Sequence, residues 1–225
     1  MLTISDLCVK LNNRKILSIE NLVLSRGQSL LVTGDNGSGK STLLKEVYKN
    51  INHYYFSIST TTRSPREGET EGVDYLFVSK EEFQEDIKKG EFLEWAEVHG
   101  NYYGTSLKPI NNALSKGKLV IFDIDVQGHE IVRKKLNDVV TSVFITTPSL
   151  NVLETRLYSR NTDNKDVIEK RIENAKHEIK HFQKYDYFIV NDDLEEASKE
   201  LVSIANITRI KSKLFDKELS NSWMK

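Results

Sequence analysis

Residues 29–41 read SLLVTGDNGSGKS, and this stretch decides the fold. The apolar run Ser29–Thr33 predicts a short buried strand, and Ser41–Asn50 has the composition of a helix with one apolar face. Between them, Gly34–Ser41 matches the pattern G-x-x-x-x-G-K-[ST]. In such a strand, loop and helix, backbone N–H groups and the helix N-terminus surround phosphate groups. The sequence therefore predicts a site for a nucleoside triphosphate.

Further apolar runs indicate a parallel sheet around this loop. Residues 118–123, 141–145 and 187–191 each read as a continuous buried strand, and Leu194–Ile207 follows the last of them with helical spacing. Strands that alternate with helices predict an α/β fold, with a mainly parallel sheet flanked by helices.

Composition limits the possible partners. The 225 residues are 38% hydrophobic and 29% charged, which predicts one substantial core. The net charge of −1 gives no basic field, so we expect no nucleic-acid partner. Because the sequence shows no leader pattern and no apolar run of membrane-spanning length, we expect a cytoplasmic protein without a membrane partner. We expect a monomer or a homodimer.

Individual residues of the loop have predicted roles toward the triphosphate. Lys40 suits the β- and γ-phosphates, and the Ser41 hydroxyl suits Mg²⁺. Asp123 ends a buried strand and is a second candidate for the metal, although it could be an ordinary carboxylate at a strand end. The candidate ATP-binding residues of the loop are Gly34, Asp35, Asn36, Gly37, Ser38, Gly39, Lys40, Ser41 and Thr42.

A second segment, residues 57–69, reads SISTTTRSPREGE. It gathers hydroxyl groups, two arginines and a carboxylate shortly after the phosphate loop. Guanidinium groups bind phosphate through paired N–H donors, so this segment suits a second phosphorylated molecule. The two segments together predict a kinase with two substrates.

From Ser57 onward the chain resembles the guanylate kinases. The segments that carry the resemblance are Ser59–Glu69, Gly72–Phe77, Glu91–Ala96, Gly100–Ser106 and Asp123–Gly128, in the family's order and approximate spacing. The resemblance covers about residues 45–208. It implies a P-loop nucleoside monophosphate kinase fold at 29–208, with a GMP-binding insertion at about 57–108 and a lid at about 155–172. The implied reaction is phosphoryl transfer from ATP, with Mg²⁺, to GMP.

The resemblance also implies roles for acceptor residues. Arg63 and Arg66 would hold the GMP phosphate, and Glu69 would orient them. A carboxylate at Glu94 can accept from both N1–H and N2–H₂ of guanine, and adenine lacks that pair of donors. The candidate GMP-binding residues are Ser59, Arg63, Arg66, Glu69, Tyr75, Glu94, Tyr103, Thr105 and Asp125.

For the lid, the resemblance implies that Arg156, Arg160 and Arg171 close over the phosphates. Solvated helix charges are the alternative for these arginines. Asn161 stands where the family commonly has glycine. Asn191 is a candidate for the donor adenine pocket. With Lys40 and Arg63, the three lid arginines are the predicted catalytic residues.

The N-terminal part fits the family less well. Residues 1–45 resemble the start of an ABC-type ATPase, and the loop carries Asp35 and Asn36 where guanylate kinases more often have proline and serine. We expect residues 1–28 to form an added β-hairpin and residues 209–225 to form a helix or tail. Three alternatives stay open: a non-catalytic interaction module, an ABC-type ATPase, and a kinase for a phosphorylated sugar.

Overall fold

A computed structural model describes residues 2–11, 14–24, 28–98, 100–136, 139–159, 164–214 and 224. In residues 2–24 it describes the backbone alone. The chain divides into two compact units. We call residues 28–54 and 121–225 the phosphate-loop unit, and residues 1–27 and 55–120 the insertion unit.

Strands and helices alternate along the described chain. The strands are β1 Leu2–Leu11, β2 Arg14–Leu24, β3 Ser29–Gly34, β4 Tyr54–Phe56, β5 Thr60–Thr61, β6 Leu76–Phe77, β7 Phe92–Val98, β8 Asn101–Ser106, β9 Leu119–Asp123, β10 Val140–Thr146 and β11 Tyr187–Val190. The helices are α1 Lys40–Asn50, α2 Lys80–Lys88, α3 Leu107–Ser115, α4 Val126–Leu136, α5 Leu150–Ser159, α6 Lys165–Glu178 and α7 Leu194–Thr208, with 3-10 turns at Ile179–Lys184 and Ser212–Leu214.

A five-stranded sheet has the order β11-β10-β3-β9-β4. Strand β10 pairs in parallel with both β3 and β11, so the carboxyl ends of these three strands meet at one edge. All four strands predicted from apolar runs belong to this sheet. In such sheets, ligands bind outside the carboxyl ends of the strands, where the strand order reverses. The predicted α/β fold with a mainly parallel sheet is confirmed.

Apolar side chains on both faces of the sheet form the core of the phosphate-loop unit. Strands β3 and β10 are buried along their whole length, as their continuous apolar sequences predict. Helix α1 buries Leu43, Leu44 and Val47. Helices α5 and α6 share a separate cluster, whose members are Leu153, Leu157, Ile168, Ile172 and Ala175. Helices α5 and α6, which lie in and beside the segment predicted as a lid, therefore share an apolar core.

The insertion unit has a four-stranded sheet with the order β6-β5-β8-β7. Its core is aromatic: the ring of Phe83 stacks on Phe92 at 4.1 Å and on Tyr102 at 5.3 Å, measured between ring centroids. A capping box at Ser79 and Glu82 starts α2 and so places Phe83. Tyr102 thus has a packing role in this unit.

The ends of the chain are described in less detail. Strands β1 and β2 pair antiparallel in a two-stranded sheet of their own. Most of 209–225 lies outside the described residues, so the expected terminal helix or tail stays a prediction. Within the described residues, no helix is both long and apolar enough to cross a membrane.

A buried histidine makes stability depend on pH. His129 of α4 is 2% exposed, its ring stacks on Tyr185 at 4.0 Å, and neither ring nitrogen has a hydrogen-bond partner within the described part of the chain. Burial, reinforced by the charge of Arg133, lowers the pKa of His129 from 6.5 to about 4. The folded protein therefore binds a proton at His129 less readily than the unfolded chain does.

We expect the contribution of His129 to the free energy of unfolding to be complete above pH 6.5 and to decline as pH falls toward 4. His129→Phe keeps a stacked ring but cannot be protonated. Between pH 7 and 4.5, its free energy of unfolding should therefore fall by about 2 kcal/mol less than that of the parent protein. Urea unfolding at a series of pH values measures this. The exposed His177 supplies the control His177→Gln, and an equally steep pH dependence in His129→Phe would contradict the assignment.

Candidate active site

Phosphate-loop unit

The phosphate loop has a backbone that glycine permits. Gly37 and Gly39 have φ of 99° and 81°, values that other residues rarely adopt. A Cβ at Gly34 would collide with the carbonyl oxygen of Ile145 on the neighbouring strand. Within the loop, the Ser38 N–H donates to the Asp35 carbonyl at 3.1 Å. The glycines therefore allow both the turn and its close approach to β10.

Asn191 connects the loop to the end of β11. Its buried side-chain amide donates to the Ser38 carbonyl at 2.7 Å, and its own backbone carbonyl accepts from Arg156 Nη1 at 2.9 Å. A Cβ at Gly39 would lie only 2.5 Å from the Asn191 amide nitrogen. Asn191 thus contacts the loop through the Ser38 carbonyl, and its own carbonyl holds Arg156 of α5 next to the loop.

Lys40, the first residue of α1, forms an ion pair with Asp123 at the end of β9, with 2.7 Å between Nζ and Oδ1. Both side chains are partly accessible, at 17% and 23% exposure. Ser41 and Thr42 follow on the exposed side of the helix start, and Asn36 is exposed in the loop. Lys40, predicted to contact the ATP phosphates, and Asp123, predicted to bind the metal, are therefore in direct contact.

The proposed metal ligands have suitable chemistry. Ser41 supplies a hydroxyl and Asp123 a carboxylate, and Mg²⁺ prefers a few such oxygen ligands completed by water and phosphate. Among the described residues, no group of three or more His, Cys, Asp or Glu side chains forms a metal cluster. The residues fit a nucleotide-associated Mg²⁺ and not an all-protein metal cage.

Asp35 faces the end of α6. It is 4% exposed, and the carboxyl of Glu178 interacts with it electrostatically. Burial and then the charge of Glu178 raise the pKa of Asp35 to about 7, and burial also raises the pKa of Glu178. Sequence reasoning did not identify Glu178, because its partner lies in a distant loop and its place on α6 has no recognisable pattern.

The predicted lid arginines have different positions. Arg156 lies on α5 with the contact described above, and Arg171 lies half-buried on α6. Arg160 and Asn161 lie outside the described residues.

Asp125, a candidate GMP-binding residue, belongs to the phosphate-loop unit. Its Oδ1 accepts the Gly128 N–H at 2.7 Å, an N-terminal contact of α4.

Insertion unit

Arg63 is held by several groups of the insertion unit. Its Nη2 contacts Glu69 Oε1 at 2.8 Å, its Nη1 donates to the Ser64 carbonyl at 2.6 Å, and its guanidinium lies 5.4 Å from the centre of the Tyr75 ring. The hydrogen bond to Glu69, with a smaller one to Tyr103, raises the pKa of Arg63. Arg63 is therefore a fixed, permanently charged group.

Glu69 organises both arginines. While Oε1 pairs with Arg63, Oε2 accepts the backbone N–H of Arg66 at 2.7 Å. The hydrogen bond from Arg63, followed by the one from Arg66, lowers the pKa of Glu69. The side chain of Arg66 is exposed. Tyr75 and Tyr103 pack edge to face beside Arg63, with 6.2 Å between ring centroids.

Glu94 and Thr105 are directly opposite each other on β7 and β8. The Thr105 hydroxyl donates to Glu94 Oε1 at 2.5 Å. Gly104 is needed beside them, because a Cβ there would lie 2.8 Å from the Glu94 carbonyl oxygen. Ser59 is exposed and precedes β5 on the same sheet. One unit thus holds both a cationic cluster and a carboxylate with a fixed hydroxyl.

Relationship to known proteins

Comparison with known families and proteins identifies the chain's relatives. The family model described as guanylate kinase matches residues 26–207. The guanylate kinase of Sulfurimonas denitrificans is 56% identical over 185 residues, which cover 82% of this chain and 90% of that protein. The chain belongs to the guanylate kinase family. The enzyme of Helicobacter pylori is also similar, with 50% identity over 86% of this chain and 94% of its own length.

A solved structure agrees with this family assignment. The crystal structure of guanylate kinase from Anaplasma phagocytophilum matches with a TM-score of 0.63 and 34% identity, over 84% of this chain and 89% of that chain. The prediction of a guanylate kinase, an enzyme of the nucleoside monophosphate kinase class, is confirmed. The family match includes the whole phosphate loop and so assigns that loop to the kinase.

The Asn191 contact should stabilise this guanylate kinase. Asn191→Ala removes the donor to the buried Ser38 carbonyl, so we expect the free energy of unfolding to fall by about 1–3 kcal/mol. Urea denaturation measures the loss. Asn151→Ala, at an exposed position of α5, is the control and should stay within about 0.5 kcal/mol of the parent protein. If the free energy of unfolding fell by similar amounts in the two variants, the hydrogen bond from Asn191 to Ser38 would make no specific contribution to stability.

Proposed function

We propose that the protein transfers the γ-phosphate of ATP to GMP and forms ADP and GDP. The observation that carries the proposal is the complete phosphate loop, with Lys40 paired to Asp123, in a chain of the guanylate kinase family. A module that only binds partners would have no need of this charged donor site.

The acceptor phosphate would bind at Arg63, Arg66, Tyr75 and Tyr103. Arg63 is already aligned by Glu69, so little side-chain entropy remains to be lost when a phosphate binds. The exposed Arg66 adds a second guanidinium, and the two tyrosines add hydroxyl donors. These side chains give a dianionic phosphate both charge neutralisation and directional hydrogen bonds.

The guanine base would be recognised by Glu94, with Ser59, Thr105 and Asp125 contributing. Thr105 occupies one oxygen of Glu94 and fixes the orientation of its carboxylate. The carboxylate then accepts from the two N–H donors on guanine. AMP would leave these acceptors unsatisfied in a partly buried site, which disfavours it strongly.

On the donor side, backbone N–H groups of residues 34–39 and the start of α1 would bind the ATP phosphates. Lys40 would follow the charge on the transferring group, and Ser41 with Asp123 would hold Mg²⁺. Bound Mg²⁺ neutralises charge on the β- and γ-phosphate oxygens. Asn191 holds the loop through its hydrogen bond to the Ser38 carbonyl. In the proposed complex it would also border the adenine.

Transfer requires no covalent enzyme intermediate in this mechanism. The GMP phosphate is already ionised at neutral pH, so it can attack without a dedicated general base. Lys40, Arg63 and the lid residues Arg156, Arg160 and Arg171 would stabilise negative charge that shifts during the in-line displacement. The cytoplasmic location and the monomeric or homodimeric state stay predictions.

An ABC-type ATPase is the weaker proposal for residues 1–45. The guanylate kinase match begins at residue 26 and includes Gly34–Ser41, so only residues before 26 lie outside it. An ATPase would form ADP without any acceptor. The acceptor requirement therefore separates the two activities.

The first test is acceptor specificity. With Mg·ATP, we expect rapid formation of GDP from GMP, and kcat/KM for AMP lower by a factor on the order of 10⁴. Chromatography of the products measures both. Formation of ADP without acceptor would favour the ATPase, and binding of GMP without turnover would favour an interaction module.

Glu94→Gln sharpens this test. Replacing the carboxylate with an amide removes one acceptor for the guanine donors, so kcat/KM for GMP should fall by about 10²-fold and the preference over AMP should shrink. Glu97→Gln is the matched control, because Glu97 is exposed on the same strand and should not affect specificity. Unchanged discrimination in Glu94→Gln would exclude Glu94 as the base reader.

Lys40→Met tests the donor side. Loss of the ammonium should lower kcat by roughly 10²–10⁴-fold, because the charge acts on the transferring phosphate. The dissociation constant for GMP, measured by calorimetry, should be unchanged. Lys45→Met, at an exposed position of the same helix, is the control and should have normal turnover. Normal turnover in Lys40→Met would disprove the proposed role.

A further inference from the structure

The hydroxyl group of Thr61 has no part in the mechanism above. Thr61 is the last residue of β5 and is completely buried. Its Oγ1 donates to the Tyr102 carbonyl at 3.0 Å and accepts the backbone N–H of Arg63 at 3.2 Å. One buried hydroxyl therefore connects β8 to the backbone of an arginine that is proposed to bind phosphate.

The end of β5 is held to β8 by side chains as well as by the backbone. Strand β5 is only two residues long, so its backbone can form few hydrogen bonds with β8. Beyond it, the Thr62 N–H donates to the Tyr102 carbonyl at 3.1 Å, and the Thr62 Oγ1 accepts the Tyr102 N–H at 2.9 Å. We call Thr61, Thr62 and Tyr102 the threonine clasp. It extends the pairing of the two strands up to the residue before Arg63.

Each side of the threonine clasp is followed by a residue of the proposed phosphate site. Arg63 comes directly after Thr62 in the sequence. On the other strand, Tyr103 comes directly after Tyr102. The Arg63 guanidinium lies 5.4 Å from the centre of the Tyr75 ring, and the rings of Tyr75 and Tyr103 pack edge to face. The clasp therefore fixes the spacing between the backbones that carry Arg63 and Tyr103.

Tyr102 gives the threonine clasp a fixed base. Its ring stacks on Phe83 with 5.3 Å between centroids and meets Trp95 edge to face at 5.9 Å. Its hydroxyl accepts from Gln84 Nε2 at 3.4 Å. Because closely packed side chains have little room to move, the backbone of Tyr102 is a firm attachment for Thr61.

We propose that Thr61 is a positioning residue for the GMP phosphate: its hydroxyl holds the backbone of Arg63, so that the guanidinium is in place before the phosphate binds. The proposal rests on the proposed function, because it takes Arg63 to be a phosphate ligand. Glu69 orients the guanidinium end of Arg63, and Thr61 holds the backbone end. Fixing both ends reduces the entropy that is lost on binding. Thr61 itself has no contact with substrate.

Three substitutions test the role of this hydroxyl, which must donate and accept at the same time. Thr61→Val has a similar shape but can do neither, so KM for GMP should rise roughly tenfold while KM for Mg·ATP stays unchanged. Thr61→Ser keeps the hydroxyl and should restore most of the parent KM for GMP. Thr60→Val is the matched control and should have the parent KM. Thr60 lies on the same strand and is 4% exposed, but its Oγ1 has no hydrogen-bond partner within the described residues.

A purely structural role of Thr61 predicts a different result. If Thr61→Val only reduced the amount of folded protein, the maximal rate would fall and KM for GMP would be unchanged. An unchanged KM for GMP in Thr61→Val would therefore overturn the proposal, and so would an equal rise in Thr60→Val. A rise in Thr61→Ser as large as that in Thr61→Val would overturn it too, because the hydroxyl would then not be the group that matters.

A second measurement needs neither substrate nor turnover. Hydrogen exchange followed by NMR reports on the amide of Arg63, whose acceptor is the Thr61 hydroxyl. Exchange should be slow in the parent protein and in Thr60→Val, and at least roughly tenfold faster in Thr61→Val. Rapid exchange of this amide in the parent protein would overturn the proposal, even if Thr61→Val does not fold.

The two proposals fail in different ways. A parent protein that neither binds nor phosphorylates GMP would overturn the proposed function, and the positioning role with it. Normal transfer to GMP in the parent protein, with an unchanged KM for GMP in Thr61→Val, would overturn the positioning role alone.

Discussion

The hydrogen bond from the buried Asn191 amide to the Ser38 carbonyl is the contact on which the proposed ATP site depends. A phosphate-binding loop must direct its N–H groups toward the ligand, so its carbonyls point inward and need partners there. Asn191 supplies one such partner from the end of β11, and its own carbonyl is held by Arg156 of α5. One residue, Asn191, therefore joins the loop to the end of β11 through its side chain and to α5 through its backbone carbonyl. A Cβ at Gly39 would lie only 2.5 Å from the Asn191 side-chain nitrogen, which adds to the positive φ as a reason for glycine at this position.

The residues proposed to bind GMP are arranged differently, because a carboxylate fixes the position of a cationic side chain before any ligand binds. Glu69 uses both oxygens, one for the Arg63 guanidinium and one for the Arg66 backbone. Surface ion pairs of this kind contribute little to stability. Their value here is orientation, because Arg63 keeps a defined position beside Tyr75 and Tyr103 before any phosphate arrives. Thr105 does the same for Glu94 on the neighbouring strands.

Asp35 differs from Glu69 and Glu94, because an acidic side chain in a phosphate loop adds negative charge close to the place where a phosphate would bind. The structure accommodates it by turning the carboxyl away from solvent, toward Glu178. Burial favours its neutral form, which would leave the field of Lys40 available to the phosphates.

Local sequence patterns predicted the strands and helices around the phosphate loop and the chemistry of each motif. The apolar run before Gly34 predicts β3, the helical spacing after Lys40 predicts α1, and the segment from Ser59 to Glu69 identifies the family, because these patterns depend on neighbouring residues. Which distant groups meet depends on the fold. Asn191 donates to the Ser38 carbonyl and Lys40 pairs with Asp123, because strands of one sheet bring together residues that are far apart in the chain. Burial, which sets the proton affinity of Asp35 and His129, likewise arises only when the chain is folded.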